Sequence, residues 1–430
     1  MADRDEQGFG MALSFSQYLM IVSTFMLVAG GQTVSEASAK HSVKHGGHQL
    51  RAHHKPVHHA PLAPLPTESM ALTNYGDPNL WRFSSALQRA NTQTVHIVQF
   101  GDSHTAADFF TGELRDAFQQ RFGNGGVGFI SPLAVPGQRY EQVVMPRAGS
   151  DWVLKTSRRD LDDVFSLGGS HAQPQGHQRS MTIAFRDESA SLEPLRARAF
   201  YKTEQPNLLI AQDGHGRHEV ALSQSQWGYS TPITLTLPVT MTVQNGAAGT
   251  QIGGWYLDRS HGVVLSSIGS NGASLSLLEH WQNDWYAQLQ KLHPAMIILA
   301  YGTNESLNKT LDFDQYRQSY VHIIWQLRQE NPTSVILMVG PSDNASARAG
   351  GNCRHMVGLE KIIATQRAVA RQEHVLYWDW RAFMGGACSI NSWRAHHEGQ
   401  EDRVHLLRPG YQRSARGLYK NIMKILNIAP

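Results

Sequence analysis

Cysteine is scarce, with Cys353 and Cys388 alone in 430 residues, and charge of either sign is thin, 38 basic against 35 acidic side chains. A net charge of +3 with neutral histidines argues against nucleic acid or an acidic lipid surface as the principal partner. Long apolar runs are also lacking: residues 17–31 hold the only one near either terminus. That stretch matches a signal-peptide core and is short for a membrane span of roughly 20 residues. Ala37-Ser38-Ala39 then offers an A-x-A cleavage site, so export is expected. The segment ahead of the core is acidic at Asp3, Asp5 and Glu6, and Met11 is an alternative start, which keeps an uncleaved anchor as the other reading. Either way the body faces a periplasmic or other extracytoplasmic space.

From His41 to His59, seven histidines are interspersed with basic residues and prolines. Such a stretch has too little apolar content to pack and reads as a solvated linker; metal capture is the sharper alternative, but no carboxylate or cysteine fixes a geometry there. Folded sequence is expected from Tyr75 onward. Gly123-Asn124-Gly125-Gly126-Val127-Gly128 is glycine-rich but lacks the Lys-Ser/Thr of a P-loop and reads as a plain connection.

The rest is organised around Val95-His96-Ile97-Val98-Gln99-Phe100, a buried-strand pattern that stops at Gly101-Asp102-Ser103-His104. Phe109, Phe110, Leu114 and Phe118 then fall on one face of a helix expected over residues 106–122. Ser103 therefore sits at a strand-to-helix elbow, where unpaired N–H groups and the helix dipole favour an oxyanion. Gly-Asp-Ser is also a common turn tripeptide, so the weight of Ser103 depends on what else the chain supplies.

Between residues 131 and 255 the helical period disappears and short alternating runs replace it, Met181–Phe185, Ala197–Tyr201, Leu208–Ala211, Val220–Leu222, Ile233–Leu237 and Val239–Val243 among them. This predicts an all-β insert of β-sandwich type. Trp152, Trp227 and Tyr229 suit either a sugar-stacking platform or aromatic packing. The α/β rhythm resumes at Trp255. Strands are expected at Val263–Ile268, Met296–Tyr301, Ser334–Gly340 and Val375–Trp380, and helices at Leu275–Leu292, Phe313–Glu330, Val357–Arg371 and Tyr411–Leu426. With the first strand, this gives an α/β, three-layer, flavodoxin-like domain of about five parallel strands, whose ligands bind beyond the strands' carboxyl ends.

Polar segments collect at those ends: Gly101-Asp102-Ser103-His104, Gly269-Ser270-Asn271-Gly272 and Gly302-Thr303-Asn304-Glu305. Asp402-Arg403-Val404-His405 precedes the last helix, and an Asp three residues before a His can hold the imidazole's tautomer within one backbone turn. Asp-x-x-His alone is also what an ordinary capped turn looks like. Together they supply a nucleophile, Ser103, a base, His405, and an orienter, Asp402. Oxyanion donors are available in the N–H of Ser103, the N–H of Gly272 and the amide of Asn304.

Ser103, Gly272, Asn304 and His405, with Asp402, resemble the signature positions of the SGNH (GDSL-type) hydrolases. GDSH stands where GDSL is commoner, and GTNE stands where many members read GxND. More narrowly, the GDSHTAADFF block, an insert similar to a carbohydrate-binding module, and the Trp378-Asp379-Trp380 and Met384-Gly385-Gly386-Ala387-Cys388 segments resemble the peptidoglycan O-acetylesterases of Gram-negative bacteria. The likeness spans residues 75–430. It implies removal of acetyl from the C6 hydroxyl of N-acetylmuramyl residues in peptidoglycan, with no metal or organic cofactor. An O-acetyltransferase or acetylxylan-type esterase with the same triad, and a non-enzymatic wall-binding protein, are the competing readings.

The expected division is residues 1–39 signal peptide or anchor, 40–74 linker, 75–130 and 256–430 hydrolase domain, and 131–255 insert. In an exported protein the pair Cys353 and Cys388 favours a disulfide closing a loop of about 35 residues, stabilising by a few kcal/mol; buried free thiols are the alternative.

Overall fold

The structure, a computed structural model, describes residues 64–66, 70–187, 193–345, 353 and 356–429. The apolar stretch at 17–31, the Ala37-Ser38-Ala39 site and the histidines from His41 to His59 lie outside the described residues. Among the described residues no helix is long and apolar enough to cross a membrane, and no group of three His, Cys, Asp or Glu is placed to hold a metal.

One sheet has six strands in the order Leu72–Asn74, Leu376–Trp378, Val335–Val339, Pro294–Ala300, Thr94–Gly101 and Gly262–Gly269. The last five run parallel, and Leu72–Asn74 adds an antiparallel edge. The sheet thus takes in residues ahead of Tyr75, because Leu72 finds a buried place opposite Trp378. Parallel strands covered on both faces read as unbroken apolar runs, as Val335-Ile336-Leu337-Met338-Val339 does, with all five residues buried. Successive side chains point to opposite faces. Val98, Phe100, Ile297, Leu299, Ile336 and Met338 pack with Trp285, Tyr320, Ile323 and Val369 from the helices Asp284–Gln290, Phe313–Glu330 and Val357–Gln372. Ile97, Ile298, Leu337 and Trp378 pack instead with Phe83, Phe118, Leu418 and Ile422 from the helices Leu80–Gln88, Phe109–Phe122 and Arg408–Ile425.

Two further sheets are antiparallel. The five-stranded one runs Gly216–Leu222, Asn207–Asp213, Val239–Val243, Ser180–Phe185, Val143–Ala148. The other has seven strands, with Ser225–Tyr229, Leu195–Thr203, Gln251–Asp258, Ser170–Pro174 and Trp152–Thr156 along its main path. Ile233–Leu235 and Gly126–Ile130 join it laterally. Met181, Ile183, Leu209 and Met241 of the first share one core with Ala197, Tyr201, Ile252 and Trp255 of the second. The opposite face of the seven-stranded sheet sends Phe129, Phe200, Trp227 and Tyr256 into the same core as Phe100, Trp281 and Trp285 of the parallel-sheet body. Trp227, 5% exposed, stacks on Phe200 at 5.1 Å, and Trp152 packs on the other core, so these aromatics build the interior and form no shared platform.

Two expected helices are broken. A short helix Ser103–Ala106 is followed by Phe109–Phe122, with Asp108 between them at φ 53. Asp108 is fully buried, and Arg115 donates to both its carboxylate oxygens, at 2.9 and 3.2 Å, so a buried ion pair fixes the kink. Over residues 275–292 the chain forms a 3-10 turn, Leu275–His280, and then the helix Asp284–Gln290.

Candidate active site

The site lies where three neighbouring parallel strands end, with Gly101 registered against Gly269 on one side and Ala300 on the other. Gly101 is required there: a Cβ would come within 2.7 Å of Ala300 O and 2.1 Å of Thr105 Oγ1. Asp102 caps the short helix, accepting from the His104 N–H at 2.9 Å, and this places Ser103 at the first helical position. Burial pushes the Asp102 carboxyl up to about 6, against hydrogen bonds from His104 and Thr303 that favour its charged form.

Ser103 Oγ lies 2.8 Å from His405 Nε2, and His405 Nδ1 lies 2.6 Å from Asp402 Oδ2. Asp402 Oδ1 accepts the N–H groups of Val404 and His405, at 2.9 and 3.0 Å. Burial works against the Asp402 charge, but the His405 contact and those two N–H groups outweigh it and hold the carboxyl at about 2. An ionised carboxylate only accepts, so Nδ1 carries the imidazole proton and the Nε2 lone pair faces the serine hydroxyl. The hydrogen bond to Asp402 raises His405 above its usual 6.5, partly countered by burial.

His104 lies beneath His405, with ring centroids 5.2 Å apart, and its Nδ1 is 2.9 Å from Tyr411 Oη. Burial, then the neighbouring His405, lowers His104 to about 3. It therefore packs against His405 as a neutral ring.

Gly272 and Asn304 line a cavity of about 400 Å³ together with Arg158 and Glu305. Gly272 has φ +70, a left-handed conformation that glycine adopts without a Cβ penalty. Asn304 Nδ2 donates one hydrogen to Ala273 O at 2.8 Å, and its second amide hydrogen has no acceptor among the described residues. Glu305, 3% exposed, accepts the Leu275 N–H at 2.7 Å and the Gly302 N–H at 3.0 Å, one on each oxygen. It braces the segment after Gly272 against the turn that carries Asn304. Burial pushes its carboxyl up to about 7.

The structure thus joins Ser103, His405 and Asp402 in one hydrogen-bonded series and sets Gly272 and Asn304 on the wall of one cavity. Sequence reasoning missed the Glu305 brace, the neutral His104 beneath the relay and Arg158 on the cavity wall; Glu305 beside Asn304 was the one signal available. Cys353 and Cys388 are bonded to each other, with Cα atoms 5.9 Å apart, and tie the start of the Val357–Gln372 helix to the turn before Ser389–Ala395.

Two family descriptions match the chain: "Peptidoglycan O-acetylesterase, N-terminal" over residues 125–240 and "GDSL-like Lipase/Acylhydrolase family" over residues 241–413. The second takes in Gly272, Asn304, Asp402 and His405; Ser103 precedes both. No curated protein matches at a significant level. Among solved structures, one titled "Peptidoglycan O-acetylesterase in action, 5 min" is 32% identical, covering 83% of this chain and 99% of its own, with a TM-score of 0.74. A putative GDSL-like lipase from Parabacteroides merdae is 14% identical over 39% of this chain and 74% of its own, at TM-score 0.31. An acetyl xylan esterase is 18% identical over 37% and 79%, at TM-score 0.29. On the 32% identity that extends across 99% of the first of these, the chain belongs to the peptidoglycan O-acetylesterase family of GDSL-like ester hydrolases.

Proposed function

We propose that the protein hydrolyses O-acetyl esters of peptidoglycan, at the C6 hydroxyl of N-acetylmuramyl residues, through an acetyl-serine at Ser103. The observation that carries this reading is the unbroken relay from Ser103 Oγ through His405 to Asp402, at 2.8 and 2.6 Å. Ser103 Oγ attacks the acetyl carbonyl while His405 Nε2 takes its proton, and the imidazolium is held by Asp402. The N–H groups of Ser103 and Gly272 and the second amide hydrogen of Asn304 stabilise the tetrahedral oxyanion. His405 then protonates the departing sugar oxygen. A water, deprotonated by His405, attacks the acetyl-serine, and acetate leaves as Ser103 regains its proton. His405 and Asp402 are 34% and 45% exposed along their side chains, so water reaches the base that activates it.

In the same reading, a three-layer, flavodoxin-like hydrolase domain takes residues 75–125 and 259–430, and a β-sandwich insert similar to a carbohydrate-binding module takes 126–258, since the strands Gly126–Ile130 and Gln251–Asp258 pair with each other in the antiparallel sheet and move the expected bounds at 130 and 256. Residues 1–39 direct export or anchor the chain in the periplasm, and the linker expected over 40–74 ends before the strand Leu72–Asn74, which belongs to the sheet.

The test is acetate release by the full-length protein from O-acetylated peptidoglycan, with acetylated xylan alongside and an acceptor glycan added in a parallel reaction. Preferential release from peptidoglycan is expected. Release from xylan alone would overturn the substrate, and acetate appearing on the acceptor in place of solution would make the protein a transferase.

A further inference from the structure

The cavity wall that holds Gly272 and Asn304 includes one residue from the all-β part, Arg158. Its Nη2 lies 3.0 Å from where a Cβ on Gly272 would stand, so the guanidinium occupies the space that this glycine leaves open. We propose that Arg158 forms a carboxylate-binding subsite beside the acyl site, taking an anionic carboxyl group borne by the acetylated glycan. This inference rests on the esterase reading above.

The turn that carries Arg158 is held in place, while the arginine side chain itself is exposed. Arg158 follows the strand Trp152–Thr156 in a tight turn closed by Asp160, whose carboxylate accepts the Thr156 N–H at 2.8 Å. The next residue, Ser157, is buried and accepts from the indole N–H of Trp281 in the parallel-sheet body at 3.0 Å. A second tie runs from the Gln282 N–H to Phe165 O at 2.7 Å. The turn is therefore pinned to the catalytic body on both sides of the arginine.

The guanidinium itself is nearly unengaged. Its one hydrogen bond among the described residues is long, 3.4 Å from Nε to Asn271 O, with no carboxylate of the described residues in ion-pair range. Three carboxylates share the cavity, but two are committed elsewhere. Glu305 uses both oxygens on backbone N–H groups, and Asp312 uses one oxygen, Oδ1, to cap the helix Phe313–Glu330 by accepting the N–H groups of Asp314 and Gln315. Glu279 remains, exposed on the rim. The cavity thus holds more carboxylates than cations, and selection for an anion acts locally at the guanidinium fork, whose geometry matches a carboxylate.

A muramyl unit carries such a group in its lactyl substituent, or in the peptide attached to it, whereas acetylated xylan and acetylated chitin fragments have none. The subsite would separate these substrates without touching the chemistry of ester cleavage.

The test compares full-length wild type, Arg158→Ala and Arg158→Lys on 6-O-acetylated muramic acid, an O-acetylated muropeptide, an acetylated chitooligosaccharide and p-nitrophenyl acetate. For Arg158→Ala, KM is expected to rise about tenfold on the carboxylated substrates with kcat within about twofold, the size of one partly exposed charge-assisted contact. Arg158→Lys should recover part of that loss. The neutral sugar and p-nitrophenyl acetate report folding and any effect passed through the 3.4 Å contact to Asn271, so the subsite is read from the extra rise in KM on the carboxylated substrates over these two. A loss on muramic acid assigns the carboxylate to the lactyl group, and a loss on the muropeptide alone assigns it to the peptide. Equal losses on all four substrates, or none on any, would overturn the subsite. Absence of acetate release by wild type from every glycan would instead overturn the esterase reading, and the subsite with it.

Discussion

Replacing Glu305 by Gln tests how the acyl site is held together. Each Glu305 oxygen accepts a backbone N–H, from Leu275 at 2.7 Å and Gly302 at 3.0 Å, and the side chain is 3% exposed. Glutamine offers one acceptor oxygen, so one N–H is left buried without a partner and faces an NH2 group. Such an orphaned donor costs about 1–3 kcal/mol. In stability alone that is at most a few degrees of Tm, since about 1 kcal/mol shifts a domain of 150–250 residues by roughly 2–4 °C and a longer chain by less. The larger effect is expected in catalysis, because the two braced segments carry Gly272 and Asn304. A displacement costing 1 kcal/mol in the transition state slows the reaction about fivefold, and full loss of one oxyanion donor about 10²- to 10³-fold. Glu305→Gln is therefore expected to lower kcat roughly 10- to 100-fold with KM within about twofold. Acetate release is measured well above pH 7, since burial places the Glu305 carboxyl at about 7 and the wild-type brace is then ionised. A variant with lowered Tm and wild-type kcat would refute the link from brace to oxyanion donors; an unchanged Tm as well would refute the hydrogen bonds themselves.

Two further expectations concern pH and the disulfide. As the base, His405 must be neutral, so kcat/KM is lost as pH falls through its value, which Asp402 holds above 6.5. Asp402→Asn removes the partner that raises it and leaves burial, which lowers it; the acid limb should move to lower pH while the plateau falls by up to about 10⁴-fold. Asp102 at about 6 and Glu305 at about 7 titrate in the same range in both proteins, so the difference between the two profiles reports His405; an unmoved limb would contradict the relay. The Cys353–Cys388 bond spans 35 residues, a loop for which chain entropy gives about 4 kcal/mol. The Cys353→Ser/Cys388→Ser double variant should unfold at markedly lower urea in equilibrium denaturation, yet keep wild-type kcat at 25 °C, and reductant should shift the wild type but leave the variant unmoved.

Much of the parallel sheet was legible because buried strands leave little choice of residue: Ile97, Leu265, Ile298 and Leu337 sit in runs that only a covered strand would hold. Asp402 and His405 were legible for a different reason, since three residues of separation let one turn place the carboxylate under the ring. Gly126-Val127-Gly128 reads as a turn by local preference, yet pairing with Gln251–Asp258 makes it a strand. The break at Asp108 depends on Arg115, one helical segment later, reaching back into a buried pair that no periodicity reveals. Trp227 faces the interior because the seven-stranded sheet is covered on both sides, a fact of tertiary arrangement. Arg158 is separated from Gly272 by more than a hundred residues, and the docking of its turn and of Phe165 on Trp281 and Gln282 brings them together.

The most direct test of the central claim is rapid-quench mass spectrometry of the full-length enzyme turning over O-acetylated peptidoglycan. One acetyl group is expected on the peptide containing Ser103, forming within the first turnover and decaying as free acetate accumulates, and absent in Ser103→Ala, which should release no acetate. Acetate released at the wild-type rate by Ser103→Ala, or an acetyl group carried on any other residue, would contradict the account.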